Sequence, residues 1–261
     1  MRTKLLIFRN NQLNLVITNY LPEGLPLFSA RLKEQLNGEV SLIFSVPSNH
    51  PDSVNVERGN IVLWRDLDGL YRAFTITEEE EVHDENGLVK SFLTEELAVT
   101  ELNDKVVTDV RPQNVTAREA LSRILKDTKW QVGTVADLGT NSTNVYYESA
   151  MSGLQKVVET WGGEVRFRVT INEKNQITGR YVDLLTQLGR DEGKRFEYGR
   201  NLTSVTRYVD LKPLKTALYG RGKGEETDSG GYGRRTTFAD VVWSKVNGDP
   251  VDKPAGQEWV G

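Results

Sequence analysis

Between Gly220 and Arg235, six of sixteen residues are glycine. Glycine loses more backbone freedom on ordering than any other residue, and no helix or compact strand pair can be written for this stretch on its own. The residues around it set single aromatics (Tyr219, Tyr232, Phe238, Trp243, Trp259) among charges and glycines. Such a segment needs contacts from outside itself, which points to a protein that finishes its structure by assembling. Arginine and large aromatics are the residues favoured at subunit contacts. Interface side chains are therefore expected at Tyr219, Arg221, Tyr232, Arg234, Arg235, Trp243 and Trp259.

Basic residues also gather in this last third, with Arg195, Arg200, Arg207 and Lys223 lying among Tyr198, Tyr208 and Tyr219. A nucleic-acid patch would look similar. Here Glu197, Glu225, Glu226 and Asp228 dilute the charge, and the whole chain carries a net charge of −4. Non-specific binding to nucleic acid calls for a basic balance, so no specific nucleic-acid partner is expected. Cysteine is absent, which excludes disulfides and cysteine metal sites and suits folding in a bacterial cytoplasm. Arg9, Asn10 and Asn11 interrupt the N-terminal apolar residues too early for a signal peptide. No apolar run approaches the about eighteen residues of a membrane span, so the chain reads as soluble.

At 261 residues, two or more modules are expected. Residues 1–108 read as short strands (residues 5–8, 39–46, 60–64 and 71–76) separated by turn clusters at 47–49, 66–69 and 84–87. Such spacing fits a small barrel or a sandwich. Residues 109–195 change period and read as an α+β domain. Thr116 can cap a helix with Glu119 at the reciprocal capping position, and Ala120, Leu121, Ile124 and Leu125 form its apolar face. A second helix begins at Ser149, with Leu154, Val157 and Val158 on its face, and ends at Trp161-Gly162-Gly163. Each helix leads into a strand, at 130–132 and 164–169, and a hairpin follows with Glu173-Lys174-Asn175 at its tip. Trp130 and Trp161 are expected to plug the core. Residues 196–261 return to strand-like alternation and include the glycine-rich arm, 220–235.

Catalytic chemistry finds no carrier. Gly220-Arg221-Gly222-Lys223-Gly224 does not have its three glycines at the G-x-G-x-x-G spacing of a dinucleotide fingerprint, and it lacks the Ser or Thr that follows the lysine of a P-loop. His50 and His83 belong to no metalloprotease pattern and are expected in exposed loops. The run Glu78–Glu81 reads as a solvated strand end, since four adjacent side chains do not converge on one ion. Glycosidase chemistry needs two carboxyls across a cleft, and spacing singles out no pair among 37 acidic residues. No catalytic residue, metal ligand or cofactor is expected, and the chain reads as no enzyme.

Four segments carry a resemblance: 201–207 (NLTSVTR), 214–220 (LKTALYG), 230–235 (GGYGRR) and 247–250 (NGDP). They resemble the N-terminal region of siphophage and prophage minor structural tail proteins, the tail-associated lysin or prophage endopeptidase tail family. That region is similar to the baseplate hub of contractile-tailed phages. The resemblance implies two small β-barrel-like modules with an α+β insertion. It implies a homotrimeric ring at the virion tail tip, assembled in the host cytoplasm, which closes the tail tube and joins the distal tail protein. The tape measure protein would be a partner, and fibre or lysin domains would lie further C-terminal. It leaves open whether the strands after 196 rejoin the first module or build a second. The alternatives are a peptidoglycan-degrading tail endopeptidase or hydrolase, or a module that binds the cell wall or a receptor.

Overall fold

The computed structural model describes residues 4–20, 24–84, 87–189, 193–202, 204–208, 217–226, 232–237, 245–246, 249–250 and 258–260. The chain forms two compact units, Met1–Glu192 and Gly193–Gly261.

The first unit is organised around β1 (Lys4–Arg9), whose side chains supply two cores at once. Leu5 and Ile7 enter one core, Leu6 and Phe8 the other. A strand buried on both faces reads as an unbroken apolar run, which explains Leu5-Leu6-Ile7-Phe8. β1 pairs antiparallel with β2 (Gln12–Thr18) and with β5 (Ile61–Arg65). From β5 the sheet continues through β6 (Tyr71–Asp84), β7 (Gly87–Glu96) and β4 (Val40–Pro47) to β3 (Ser29–Glu34). These strands curl around a core that includes Phe44, Phe74 and Phe92, with the Phe44 and Phe92 rings stacked at 4.8 Å.

The curl is barrel-like without closing into a barrel. No ladder joins β2 to β3 among the described residues. The Thr18 N–H donates to the Leu25 carbonyl at 2.9 Å, and the Phe28 N–H to the Ser45 carbonyl at 2.9 Å. Between them Pro26 has no N–H to offer a ladder. The Asn19 amide takes that place instead: it donates to the Leu27 carbonyl at 2.7 Å and accepts the Leu27 N–H at 2.8 Å.

A second layer is built on the other face. At Tyr71, β6 meets Val169 of β13 (Glu164–Ile171), which pairs antiparallel with β14 (Ile177–Leu185). β10 (Gln131–Val135) lies parallel to β14 and brings the sheet to ten strands. The helices α1 (Leu97–Asn103), α2 (Ala117–Ile124) and α3 (Ala150–Trp161) supply Leu102, Leu121, Ile124, Leu154 and Val157 to the core beneath them. Trp130 and Trp161 are buried in the same core. Two short ribbons link the helices: β8 (Val106–Val110) with β12 (Val145–Ser149), and β9 (Val115–Thr116) with β11 (Thr140–Asn141). The boundary expected between 108 and 109 lies within β8, and the ten-stranded sheet takes strands from both sides of it.

Both expected helix starts are present. The Thr116 hydroxyl accepts the Glu119 N–H at 3.3 Å, and the Ser149 hydroxyl accepts the Ser152 N–H at 3.1 Å. Each cap is worth about 1 kcal/mol. The Glu119 carboxylate turns to Arg123 one turn later rather than back to Thr116. α3 stops at Gly162, whose φ of +79° falls in the region that glycine occupies without a steric penalty. The β13–β14 hairpin turns through Asn175 as expected.

In the second unit, residues 197–202 form a turn in which the Asn201 side-chain Oδ1 accepts the Glu197 N–H at 2.7 Å. Among the described residues, three two-stranded ladders follow. β15 (Ala217–Tyr219) lies parallel to β20 (Glu258–Val260), β16 (Arg221–Glu226) pairs antiparallel with β17 (Tyr232–Thr237), and β18 (Lys245–Val246) pairs with β19 (Asp249–Pro250). The β16–β17 ladder corrects the expectation that no strand pair forms between Gly220 and Arg235. Its register slips twice, at Arg221/Gly224 and at Gly224/Glu226. Such irregularities are where glycine is tolerated in strands, so the glycines accompany the pairing rather than prevent it.

Candidate functional site

A buried pair of perturbed titratable groups in the first unit sits where the two layers join. Arg72 near the start of β6 and Glu96 at the end of β7 form a buried ion pair, Nη2 to Oε1 at 2.6 Å, while Arg72 Nη1 reaches Glu34 of β3 at 3.0 Å. Burial pushes the Glu96 carboxyl above its ordinary range, against the pull of Arg72. Burial alone would lower the Arg72 guanidinium, but the charge and hydrogen bonds of Glu96, backed by Glu34, raise it. A carboxyl raised by burial is how a general acid is made. Here Arg72 holds it with two hydrogen bonds, at 2.6 and 3.3 Å. Its role in this arrangement is to lock β3, β6 and β7 together.

Above this pair runs an open groove of about 1350 Å³ between the β3–β4 hairpin and α3. Trp64, Leu36, Leu154 and Val158 give it apolar walls, and Asp66, Asp68, Glu95 and Glu159 an acidic rim. The hairpin tip is fastened across it. The Asn37 amide donates to the Gly163 carbonyl at 2.9 Å and accepts the Val165 N–H at 2.9 Å, standing in for a strand partner at the head of β13.

The remaining charged groups are structural. Asp183 is 1% exposed and accepts the Thr134 N–H at 2.7 Å and Arg168 Nε at 2.8 Å. Glu101 of α1 gathers Lys129, the Trp130 indole and Arg180 at 2.9 to 3.0 Å. Nδ1 of His50 accepts the Asp52 N–H and opens a short 3-10 turn, Pro51–Asn55. His83 corrects the loop expectation: it lies on β6, exposed, with its ring 2.9 Å from Glu81. Glu78–Glu81 are exposed on the same strand, paired with β7. Among the described residues no three His, Asp or Glu are placed to hold a metal ion. Among the same residues no helix is long and apolar enough to cross a membrane.

Hydrogen bonds from His83, and then Ser48, hold the exposed Glu81 carboxyl below its ordinary value. A lowered carboxyl stabilises the fold above its unfolded pKa, and that contribution is lost as pH falls through the folded value. His83→Ala is expected to raise the Glu81 pKa, read from its side-chain carboxyl resonance across a pH series. An unmoved titration would assign the shift to Ser48 instead.

The expected interface residues fall in the second unit. Tyr219 lies on β15, Arg221 on β16, Tyr232, Arg234 and Arg235 on β17, and Trp259 on β20. The register brings Arg221 and Arg235 into one ribbon and Trp259 opposite Leu218. Trp243 lies outside the described residues. Sequence reasoning did not single out the Arg72–Glu96 pair. Its signal, Phe92, Thr94 and Glu96 alternating on the buried face of β7, shows only once the strand and its partner are known.

Residues 104–184 match the family model of the prophage endopeptidase tail domain. The fold is similar to that of prophage tail protein gp18 from Listeria monocytogenes, with 14% identity over 100% of this chain and 71% of that one, at a TM-score of 0.52. It is also similar to a 43 kDa prophage tail protein from Shewanella oneidensis (10% identity, 92% of this chain, 69% of that one, TM-score 0.49). A tail protein from Neisseria meningitidis is a further match (10% identity, 70% of this chain, 50% of that one, TM-score 0.43). No curated protein matches the sequence. The family match covers the stretch from β8 to β14, and the likeness to the Listeria protein is one of fold, a mixed β and α+β architecture.

Proposed function

We propose that this protein is a component of the tail tip of a phage or prophage, assembled in the host cytoplasm. In this reading a homotrimeric hub closes the tail tube, joins the distal tail protein and retains the tape measure protein above it. Fibre or lysin domains would follow where the polypeptide continues. The observation that carries the reading is the likeness in fold to a prophage tail protein over 100% of the chain, reinforced by the domain at 104–184. A structural role is supported by Glu96, a carboxyl raised by burial that Arg72 engages. Tyr219, Arg221, Tyr232, Arg234, Arg235, Trp243 and Trp259 are proposed as subunit contacts. Large aromatics and arginines contribute most of the binding energy at such surfaces.

Sedimentation velocity over a concentration series tests the proposal. A species of about 88 kDa, three times 29.4 kDa, is expected. Truncation after Gly220 is expected to remove that species and leave the cooperative unfolding of the first unit in place. A monomer at every concentration, with and without the distal tail protein, would overturn the hub reading.

A further inference from the structure

Strand β12 contains a residue in a conformation its side chain does not favour. Its ladder with β8 pairs Val145 with Val110, Tyr146 with Asp109, Glu148 with Val107 and Ser149 with Val106. Tyr147 falls opposite Thr108 in the same unbroken register without joining the ladder. Its φ is +49°, in the left-handed region that a bulky residue rarely adopts. A regular strand would alternate and turn one of the two rings inward. Here both face solvent, 57% and 67% exposed, with centroids 4.8 Å apart and planes at 82°. A ring two-thirds exposed recovers little of the backbone strain through burial. Strain kept for an exposed side chain points to a contact with something outside the fold.

The neighbours say what kind of contact. Asp109 is the cross-strand partner of Tyr146 and therefore shares its face. The Arg111 guanidinium lies 6.0 Å from the centre of the Tyr146 ring and 2.8 Å from Asp109 Oδ1. Next to the two rings lie charged groups: Asp109 with Arg111, and Glu148 with Lys156. A protein partner of ordinary size would need about 800 Å² with an apolar centre, which two rings inside a charged rim do not supply. A pyranose matches better. Its C–H face lies on an aromatic ring, while its edge hydroxyls donate to a carboxylate and accept from a guanidinium.

We propose that Tyr146, Tyr147, Asp109 and Arg111 form a saccharide-binding site on the β8–β12 ribbon, for the hexopyranose chain of a bacterial cell-wall glycan. The site lies within the prophage endopeptidase tail domain and does not depend on trimer formation.

Two variants of the full chain test it, Tyr147→Gly and Arg111→Gln. The probes are chitotetraose, followed by saturation-transfer NMR and titration, and purified peptidoglycan sacculi in a sedimentation assay. Wild type is expected to bind both, with transfer from tyrosine ring protons. Tyr147→Gly should lose about tenfold in affinity while its Tm stays level or rises, because the strain is gone and no buried contact is lost. Arg111→Gln should weaken binding at unchanged Tm. Failure of wild type to bind either probe would overturn the site, as would undiminished binding by Tyr147→Gly. A fall in Tm for Tyr147→Gly would show that the ring serves the fold. A change in sedimenting mass in that variant, without loss of glycan binding, would make the patch a protein contact.

Discussion

Arg72→Met is expected to lower the unfolding free energy by about 3–5 kcal/mol, because it leaves the Glu96 carboxylate buried without a counter-charge. Glu96 is 3% exposed, and its oxygen takes both bonds from Arg72. Removing both partners together, Arg72→Met with Glu96→Leu, is expected to recover most of the loss, since a buried pair seldom outperforms an apolar replacement of similar size. The pH dependence follows from the raised carboxyl. A group whose folded pKa lies above its unfolded value of 4.5 binds its proton more tightly in the native state. Its contribution is fully present below the unfolded value and fades as pH rises through the folded one. Without Arg72 the folded value climbs further, so the variant's deficit should shrink on acidification. Urea titrations at neutral and mildly acidic pH measure this directly. A loss under about 1 kcal/mol, the size typical of exposed pairs, would mean that water reaches Glu96.

What the sequence made legible follows from how each element is buried. The helices α2 and α3 are amphipathic, begin at Thr116 and Ser149 and, for α3, end at a glycine, so periodicity and caps located them. The run Leu5–Phe8 announced a strand because both its faces are covered. β3 was missed because it is an edge strand with five of six residues exposed, which leaves Ser-Ala-Arg-Leu-Lys-Glu no alternation to read. α1 was missed because β7 passes directly into it at Glu96–Leu97, with no glycine, proline or capping side chain at the junction. The Asn19 amide that replaces a ladder across Pro26, and the Asn37 amide that docks a hairpin tip on β13, pair residues distant in sequence. Nothing local records such pairs. The positive φ of Tyr147 is equally hidden, since two adjacent tyrosines in a β-rich stretch look like ordinary strand residues until the backbone is known.

Gly133→Ala is expected to cost about 3 kcal/mol, the combined size of overpacking and of disturbing a buried charged network. The parallel ladder between β10 and β14 slips between Val132 and Val135, and the gap is filled by a side chain. Asp183 reaches across from β14, and its Oδ1 accepts the Thr134 N–H that a regular ladder would have paired with backbone. A Cβ on Gly133 would overlap that oxygen and lie 3.2 Å from both Arg168 Nη2 and the Val182 carbonyl. The carboxylate would have to withdraw, leaving the Thr134 N–H and Arg168 Nε without their acceptor. The two positions therefore act as one unit, and their effects should not add. Asp183→Ala alone removes the acceptor and is destabilising, but in its presence Gly133→Ala no longer overlaps the Asp183 oxygen and, with only the 3.2 Å approaches to Arg168 Nη2 and the Val182 carbonyl left, should add little. Urea unfolding of the two single variants and the double variant gives the coupling energy. Strict additivity would show that the β10 backbone shifts to make room. A strong coupling would mean that the β10 edge of the sheet is held by one glycine and one buried carboxylate.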